Sequence, residues 1–251
     1  MDLIFDTHAH YDDSAFDEDR EELLSGLLEK GVGTVVNAAA SARSMPRILG
    51  LSLKYDFLYA AAGLHPCEVY GCGDNMARPV MHLKDFDGAA FKDKWSDAPF
   101  TAQLLSVLEL YDADERIDQS WTAADREERL IRAMISSGRV VAVGETGLDY
   151  HYDDTRKDIQ KDWMARQMAI AAEYDLPLII HSRDAAADTL DLIRGEKRSN
   201  AGGIIHCFSY SREMAAIYMD MGFMIGIGGV VTYKNSAKRS EEHTTELQSR
   251  I

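Results

Sequence analysis

Histidines and one glutamate follow short apolar runs at four separate places in the chain. His8 and His10 end the first run, and because side chains alternate along an extended segment, both imidazoles project from the same face. Glu145, His181 and His206 each end a later run. Four imidazoles and a carboxylate could hold one or two divalent ions, with the two oxygens of Glu145 as a bridge. These residue types leave the ion open among Mg, Mn and Zn.

Two divalent ions held a few ångströms apart can activate water and stabilise both oxygens of a displaced phosphodiester. Each of these residues is weak evidence for a metal centre on its own. A lone His-x-His is common, and a single histidine at a strand end is more often a hydrogen-bonded core or rim residue. The occurrence of the same chemistry at four strand ends is what indicates a metal centre.

Strands and helices alternate along the chain. Apolar runs predict strands at residues 3–6, 33–37, 57–61, 140–144, 178–181, 203–206 and 223–227. Helical patterns lie at 16–29, 43–53, 123–136, 155–174, 185–194 and 212–221. Near-continuous apolar runs are typical of strands buried on both faces, and the alternation indicates parallel strands joined by right-handed crossovers.

We therefore predict an α/β fold, a TIM-type barrel with about seven of its eight strands. In such a barrel the carboxyl ends of the strands open onto the active face. A doubly wound open sheet is the alternative, although no Gly-x-Gly-x-x-Gly follows the first strand. Residues 1–238 form one hydrolase domain in this interpretation. The mixed, acidic stretch at about 70–122, after the third strand, is expected to be an insertion on the barrel rim, either a lid or a decorated loop.

Composition limits the classes of partner. The 251 residues carry a formal charge of −15, which argues against strong non-specific electrostatic binding of nucleic acid. Any contact with DNA should therefore be weak and local. Three cysteines without a framework spacing favour a reducing compartment, and no signal peptide or membrane span is visible. We expect a cytoplasmic protein that does not engage a membrane, with a monomer favoured.

Six segments together resemble the TatD family of metal-dependent deoxyribonucleases, within the amidohydrolase superfamily. They are FDTHAH at 5–10, AGLHP at 62–66, VGETGLDY at 143–150, PLIIHSR at 177–183, IHCFS at 205–209 and GIGG at 226–229. The resemblance implies a TIM-like barrel, a one- or two-metal site and hydrolysis of DNA phosphodiester bonds, often from a 3′ end. The metal ligands that it implies are His8, His10, Glu145, His181 and His206.

The resemblance also implies two residues beside the substrate. His65 would lie next to the phosphate, and Arg183 would flank the site, where a guanidinium suits a phosphate oxygen. Two structural alternatives stay open: Arg183 could pair with Asp149, and His65 could merely cap the strand before Pro66. Tyr210 stands where the family usually has a small residue, so we expect it to crowd the mouth.

The carboxyl-terminal part departs from the family. The family continues to an eighth strand that ends in Glu-Thr-Asp, whose Asp is a metal ligand, and no Glu-Thr-Asp occurs in this sequence. Residues 239–251 are similar to the in-frame translation of a sequencing-library adapter, and the alternative is a natural, divergent carboxyl-terminal helix. We expect a carboxyl-terminally truncated chain with a non-native tail and impaired activity.

Two other functions compete with a deoxyribonuclease. One is an amidohydrolase-type enzyme that acts on small esters, lactones or amides; many such barrels bridge their metals with a carboxylated lysine, and no lysine ends a predicted strand here. The other is an inactive fragment that only binds metal.

Overall fold

The computed structural model describes residues 3–42, 44–69, 123–152, 156–195 and 200–229. Within these ranges seven parallel strands form one sheet in chain order, and the sheet curls into a half-barrel. The strands are β1 (Ile4–Ala9), β2 (Val32–Ala38), β3 (Leu58–Ala62), β4 (Val140–Asp149), β5 (Leu178–Arg183), β6 (Gly203–Ile205) and β7 (Phe223–Ile225). The predicted fold class is confirmed. The predicted insertion at 70–122 and the tail at 239–251 lie outside the described residues.

The helices alternate with the strands. They are α1 (Arg20–Ser25), α2 (Ser44–Lys54), α3 (Ala123–Ile135), α4 (Lys157–Tyr174), α5 (Ala186–Gly195) and α6 (Arg212–Asp220), with short 3-10 turns at Ser14–Phe16 and Pro66–Glu68. The predicted helix at 16–29 was too long. Its α-helical part ends before Gly26, whose backbone N–H bonds back to Glu22, and glycine is a poor residue with which to continue a helix. In the described part of the chain, no helix has the length and apolar character needed to cross a membrane.

Burial on both faces is confirmed for the central strands. Ile180 of β5 packs with Trp163 and Met164 of α4 in the main core cluster. The neighbouring Ile179 points the other way, into a separate cluster with Val36 and other small apolar side chains of the sheet. This alternation is what a strand between two apolar layers requires.

The prediction of double-sided burial was wrong for β1 and β7. Ile4 and Phe5 of β1 are 60% and 57% exposed, and Met224 of β7 is 61% exposed. Among the described residues each of these strands pairs with a neighbour on one side only, so their apolar side chains lack part of the packing that the central strands have.

Two buried glutamines of α4 hold the ends of β3 and β4. Gln167 accepts a hydrogen bond from the Leu64 N–H at 2.7 Å and donates to the Leu64 carbonyl at 3.1 Å. Gln160 makes the same pair of bonds with the backbone of Asp149, at 2.8 and 3.0 Å. Each side-chain amide therefore satisfies a backbone donor and acceptor where strand pairing stops.

Gly147 lets β4 approach β5 closely. Its φ is +145°, and an added Cβ would lie 1.9 Å from the carbonyl oxygen of His181. Any side chain at this position would push apart the two strand ends that carry Glu145 and His181.

Replacing Gln167 with Ala should destabilise the fold by about 1–3 kcal/mol, because both backbone groups of Leu64 would be left buried and unsatisfied. Urea denaturation measures the change. Arg166→Ala on the same helix is the control, since its ion pairs with Asp162 and Glu128 are partly exposed and should contribute less than about 1 kcal/mol. Equal midpoints for the two variants would contradict this assignment.

Gly147→Ala should cost at least about 2 kcal/mol through overpacking and an unfavourable φ. Gly50→Ala is its matched control, because Gly50 lies inside α2 with no atom within 4 Å of an added Cβ. That change should stabilise the protein by about 0.5–1 kcal/mol. Thermal melts of both variants test the contrast, and a Gly147→Ala protein as stable as the parent would refute the close approach.

Candidate metal centre

The structure gathers the predicted ligands around the carboxylate of Glu145. Its Oε2 lies 3.2 Å from the Nε2 of His8 and 3.4 Å from the Nε2 of His10. Its Oε1 lies 2.9 Å from the Nδ1 of His181, and 4.0 Å from the Nε2 atoms of both His65 and His206. The two oxygens of one carboxylate thus face two different sets of imidazoles.

Two groups of ligand atoms lie close enough to hold an ion. One comes from His8, Glu145 and His206, and the other from His65, Asp149 and His181; in each group the atoms lie within 4.8 Å of one another. His8 and His206 also stack, with ring centroids 3.5 Å apart. The convergence predicted from four strand ends is therefore present in the tertiary structure.

The spacing of the donor atoms fits a transition-metal ion. The Nε2 atoms of His8 and His10 lie 2.8 Å apart, and each is 3.2–3.4 Å from the Oε2 of Glu145. Ligands at about 2.0–2.1 Å from an ion lie roughly 2.8–3.4 Å from one another in octahedral or tetrahedral geometry. The three atoms thus have nearly the mutual distances of a coordination shell.

The backbone selects the tautomer of His10. Its Nδ1 lies 3.0 Å from the carbonyl oxygen of Ala38, which accepts a hydrogen bond and so requires the proton on Nδ1. In the neutral ring the lone pair is then on Nε2, the atom that faces Glu145 and His8, whereas in the protonated ring Nε2–H donates to Glu145. A histidine that binds a metal through one ring nitrogen usually donates the N–H of the other nitrogen to a carboxylate or a backbone carbonyl, as His10 does to Ala38.

His65 has the opposite tautomer. Its Nδ1 accepts the backbone N–H of Cys67 at 3.1 Å and so caps the short 3-10 turn that begins at Pro66. In the neutral ring the proton must then be on Nε2, which faces the site. His65 is therefore suited to donate a hydrogen bond to a substrate oxygen rather than to offer a lone pair to an ion.

Burial and hydrogen bonding set the protonation states. Burial opposes ionisation of Glu145, but hydrogen bonds from His10, His181 and His8 outweigh it and hold the pKa of Glu145 well below its ordinary value. Burial lowers the pKa of His65 to about 4, and burial together with the neighbouring His8 lowers the pKa of His206 to about 3. At neutral pH the centre therefore contains a carboxylate and at least two neutral imidazoles.

His181 lies between two carboxylates. Its Nδ1 contacts Glu145, and its Nε2 lies 3.0 Å from the Oδ2 of Asp149. Burial disfavours its charged form, but the hydrogen bonds to Asp149 and Glu145 outweigh burial and raise the pKa of His181 to about 9. An ion at this position would compete with a proton for the ring.

Asp149 was not predicted as a site residue. It is fully buried, and the hydrogen bond from His181, with those from the backbone, overcomes burial and lowers the pKa of its carboxyl group. The predicted strand ended at 144, whereas β4 continues to Asp149. The sequence contained a signal for this role: Asp149 follows Glu145 by four residues, and residues four apart in a continuous strand lie on the same face.

Arg183 lies beside the centre. Its guanidinium is stacked over the ring of Tyr152, 4.8 Å from the ring centroid. The carboxylate of Asp149, its alternative partner, contacts His181 and accepts the backbone N–H groups of His151 and Tyr152. Arg183 therefore borders the mouth. Both residues are described by the structure, and their side chains form no ion pair with each other.

Tyr210 lies between the loops that follow β5 and β6. Its hydroxyl lies 2.9 Å from the Oγ of Ser182 and accepts the backbone N–H of Ala185 at 3.2 Å. The ring packs edge-on against Phe208. Tyr210 thus links the loops after β5 and β6, because its hydroxyl finds hydrogen-bond partners in the β5–α5 connection.

Comparisons with known proteins agree with this architecture. The family model for TatD-related DNases matches residues 5–250. The metal-dependent hydrolase YabD of Bacillus subtilis is 32% identical over 239 residues, which cover 95% of this chain and 74% of YabD. The 3′-5′ ssDNA/RNA exonuclease TatD of a Rahnella strain is 33% identical over 130 residues, 47% of this chain and 49% of its own length.

A solved structure shows the same fold. The crystal structure of YjjV, a TatD homologue from Escherichia coli, superposes with a TM-score of 0.65 at 27% identity, and covers 96% of this chain and 74% of YjjV. A family match over nearly the whole chain, together with these relatives, establishes that this protein belongs to the TatD-related DNase family of metal-dependent hydrolases.

Proposed function

We propose that this metal-dependent hydrolase cleaves phosphodiester bonds of DNA, as a 3′-5′ exonuclease, by means of a metal-activated water. The observation that carries the proposal is the gathering of imidazoles from separate strand ends around the buried carboxylate of Glu145. The name of the Rahnella relative, a 3′-5′ ssDNA/RNA exonuclease, supports the choice of substrate and polarity.

The donor atoms suggest how one or two ions would be held. His8, His10, Glu145, His181 and His206 would hold one or two divalent ions, and the donor atoms of His8, Glu145 and His206 already lie within 4.8 Å of one another. Bound Mg, Mn or Zn would supply an activated water and neutralise charge on the phosphodiester oxygens. Asp149 would keep His181 oriented, as carboxylates beside ligating histidines do.

Two further residues would act on the substrate directly. His65, with its proton on Nε2, would donate to a phosphate oxygen, and Arg183 would offer a cation at the rim. With a formal charge of −15, the chain should hold DNA weakly through these local contacts.

Cleavage of single-stranded DNA should require a divalent metal and should stop with a chelator. Glu145→Gln should lower kcat/KM by at least about 10²-fold, because one substitution weakens both sets of donors around the carboxylate. His8→Ala should act in the same direction. The assay is the release of nucleotides from a 3′-labelled oligonucleotide.

Glu173→Gln is the matched control, since Glu173 lies on the exposed surface of α4 near its end. It should leave the rate unchanged. A parent protein that hydrolyses a lactone or ester but no DNA would transfer the proposal to the small-molecule branch of the superfamily. Metal binding without any hydrolysis would indicate a binding protein.

Asp149→Ala should weaken metal binding by about 10–100-fold, the range for loss of a carboxylate that orients a ligating histidine. Asp191→Ala on α5 is the control, because Asp191 is exposed. Calorimetric titration of the metal-free proteins with Mn²⁺ measures both constants. Equal affinities in the two variants would show that Asp149 takes no part in metal binding.

A further inference from the structure

Tyr152 exposes a large aromatic ring beside the candidate metal centre. The residue is 70% exposed and lies in the turn that follows β4. Single exposed apolar side chains are common on protein surfaces and need no functional explanation. Tyr152 differs from such side chains because hydrogen bonds and ring contacts fix both its turn and its ring.

The turn is attached to the metal centre through one carboxylate. The Oδ1 of Asp149 accepts the backbone N–H groups of His151 at 2.9 Å and Tyr152 at 3.2 Å, while its Oδ2 contacts His181. The backbone N–H of Tyr150 also donates to the carbonyl of Arg183 at 2.9 Å. The position of Tyr152 is therefore tied to that of the metal-site histidine.

The ring itself is oriented by two neighbours. The guanidinium of Arg183 is stacked over the ring, and the imidazole of His151 meets it edge-on with centroids 5.0 Å apart. His151 is in turn fixed by the carboxylate of Asp184 at 3.1 Å. The ring is thus held in one orientation although most of its surface is open, which lowers the entropic cost of binding a flat ligand.

These features match what an acidic nuclease needs. A chain with a formal charge of −15 cannot rely on phosphate contacts for affinity, whereas stacking of a base on an aromatic ring does not depend on net charge.

We infer that Tyr152 is a stacking platform for one nucleobase of the DNA substrate, with Arg183 behind the ring. This inference rests on the proposed nuclease function and adds a specificity-determining residue to it. Because the base must leave its own stack to lie on the ring, the platform selects single-stranded ends over duplex.

An abasic scan of the substrate tests the platform. Single-stranded oligothymidylates, each with one abasic nucleotide at a different distance from the 3′ end, are digested by the metal-loaded protein. One position should stand out, where loss of the base lowers kcat/KM by about tenfold, within the range for one base–aromatic stack.

Substitutions then assign that position to the ring. In Tyr152→Ala the difference between base-containing and abasic substrate at this position should disappear, whereas Tyr152→Phe should retain it. Tyr174→Ala is the matched control, because Tyr174 is a partly exposed tyrosine at the opposite end of α4 and its loss should leave the abasic pattern intact.

The outcomes separate the two proposals. DNA cleavage by the parent protein with no abasic sensitivity, or with sensitivity that persists in Tyr152→Ala, overturns the platform and leaves the nuclease function standing. If the parent protein cleaves no DNA at all, the nuclease function fails and the platform fails with it.

Discussion

The carboxylate of Glu145 is almost fully removed from water, and a buried carboxylate is costly unless it is paired. Its compensation comes from imidazoles carried by β1 and β5 and by the connections after β3 and β6. These segments are far apart in the chain, so the charge can be stabilised only when the sheet has brought their ends together. The site therefore exists only in the folded sheet.

Hydrogen bonds to the backbone decide what each histidine of the centre can do. The carbonyl of Ala38 leaves a lone pair on the Nε2 of His10, and the N–H of Cys67 leaves a proton on the Nε2 of His65. One residue type therefore supplies both a metal-ligand candidate and a hydrogen-bond donor. The difference comes from the strand end or turn that carries each ring.

Helix α4 contributes to the site without entering it. Its buried Gln160 binds the backbone of Asp149 at the end of β4, and its buried Gln167 binds the backbone of Leu64, the residue before His65. Because other side chains of α4 are packed in the main core, these hydrogen bonds connect the core to the strand ends near Glu145. Its amides give the strand ends the rigidity that a precise arrangement of donor atoms requires.

The acidic character of the chain shapes how a substrate could be recognised. With a formal charge of −15, long-range attraction for DNA is unfavourable, and recognition depends on short-range contacts at one mouth. His151 and Tyr152 are positioned there by hydrogen bonds to Asp149 and Asp184, and the guanidinium of Arg183 lies over the Tyr152 ring. Metal centre and rim thus form a connected set of polar contacts.

The sequence by itself determined the α/β alternation, the bounds of most strands and helices to within a few residues, and the group of strand-end residues His8, His10, Glu145, His181 and His206. These follow from local apolar runs and from residue chemistry, which a linear pattern contains. Only the tertiary structure decided that β4 extends to Asp149, that the two oxygens of Glu145 face different imidazoles, and that Arg183 lies against Tyr152. Those outcomes depend on contacts between residues that are distant in the chain, such as His8 and Glu145, and local periodicity carries no information about such contacts.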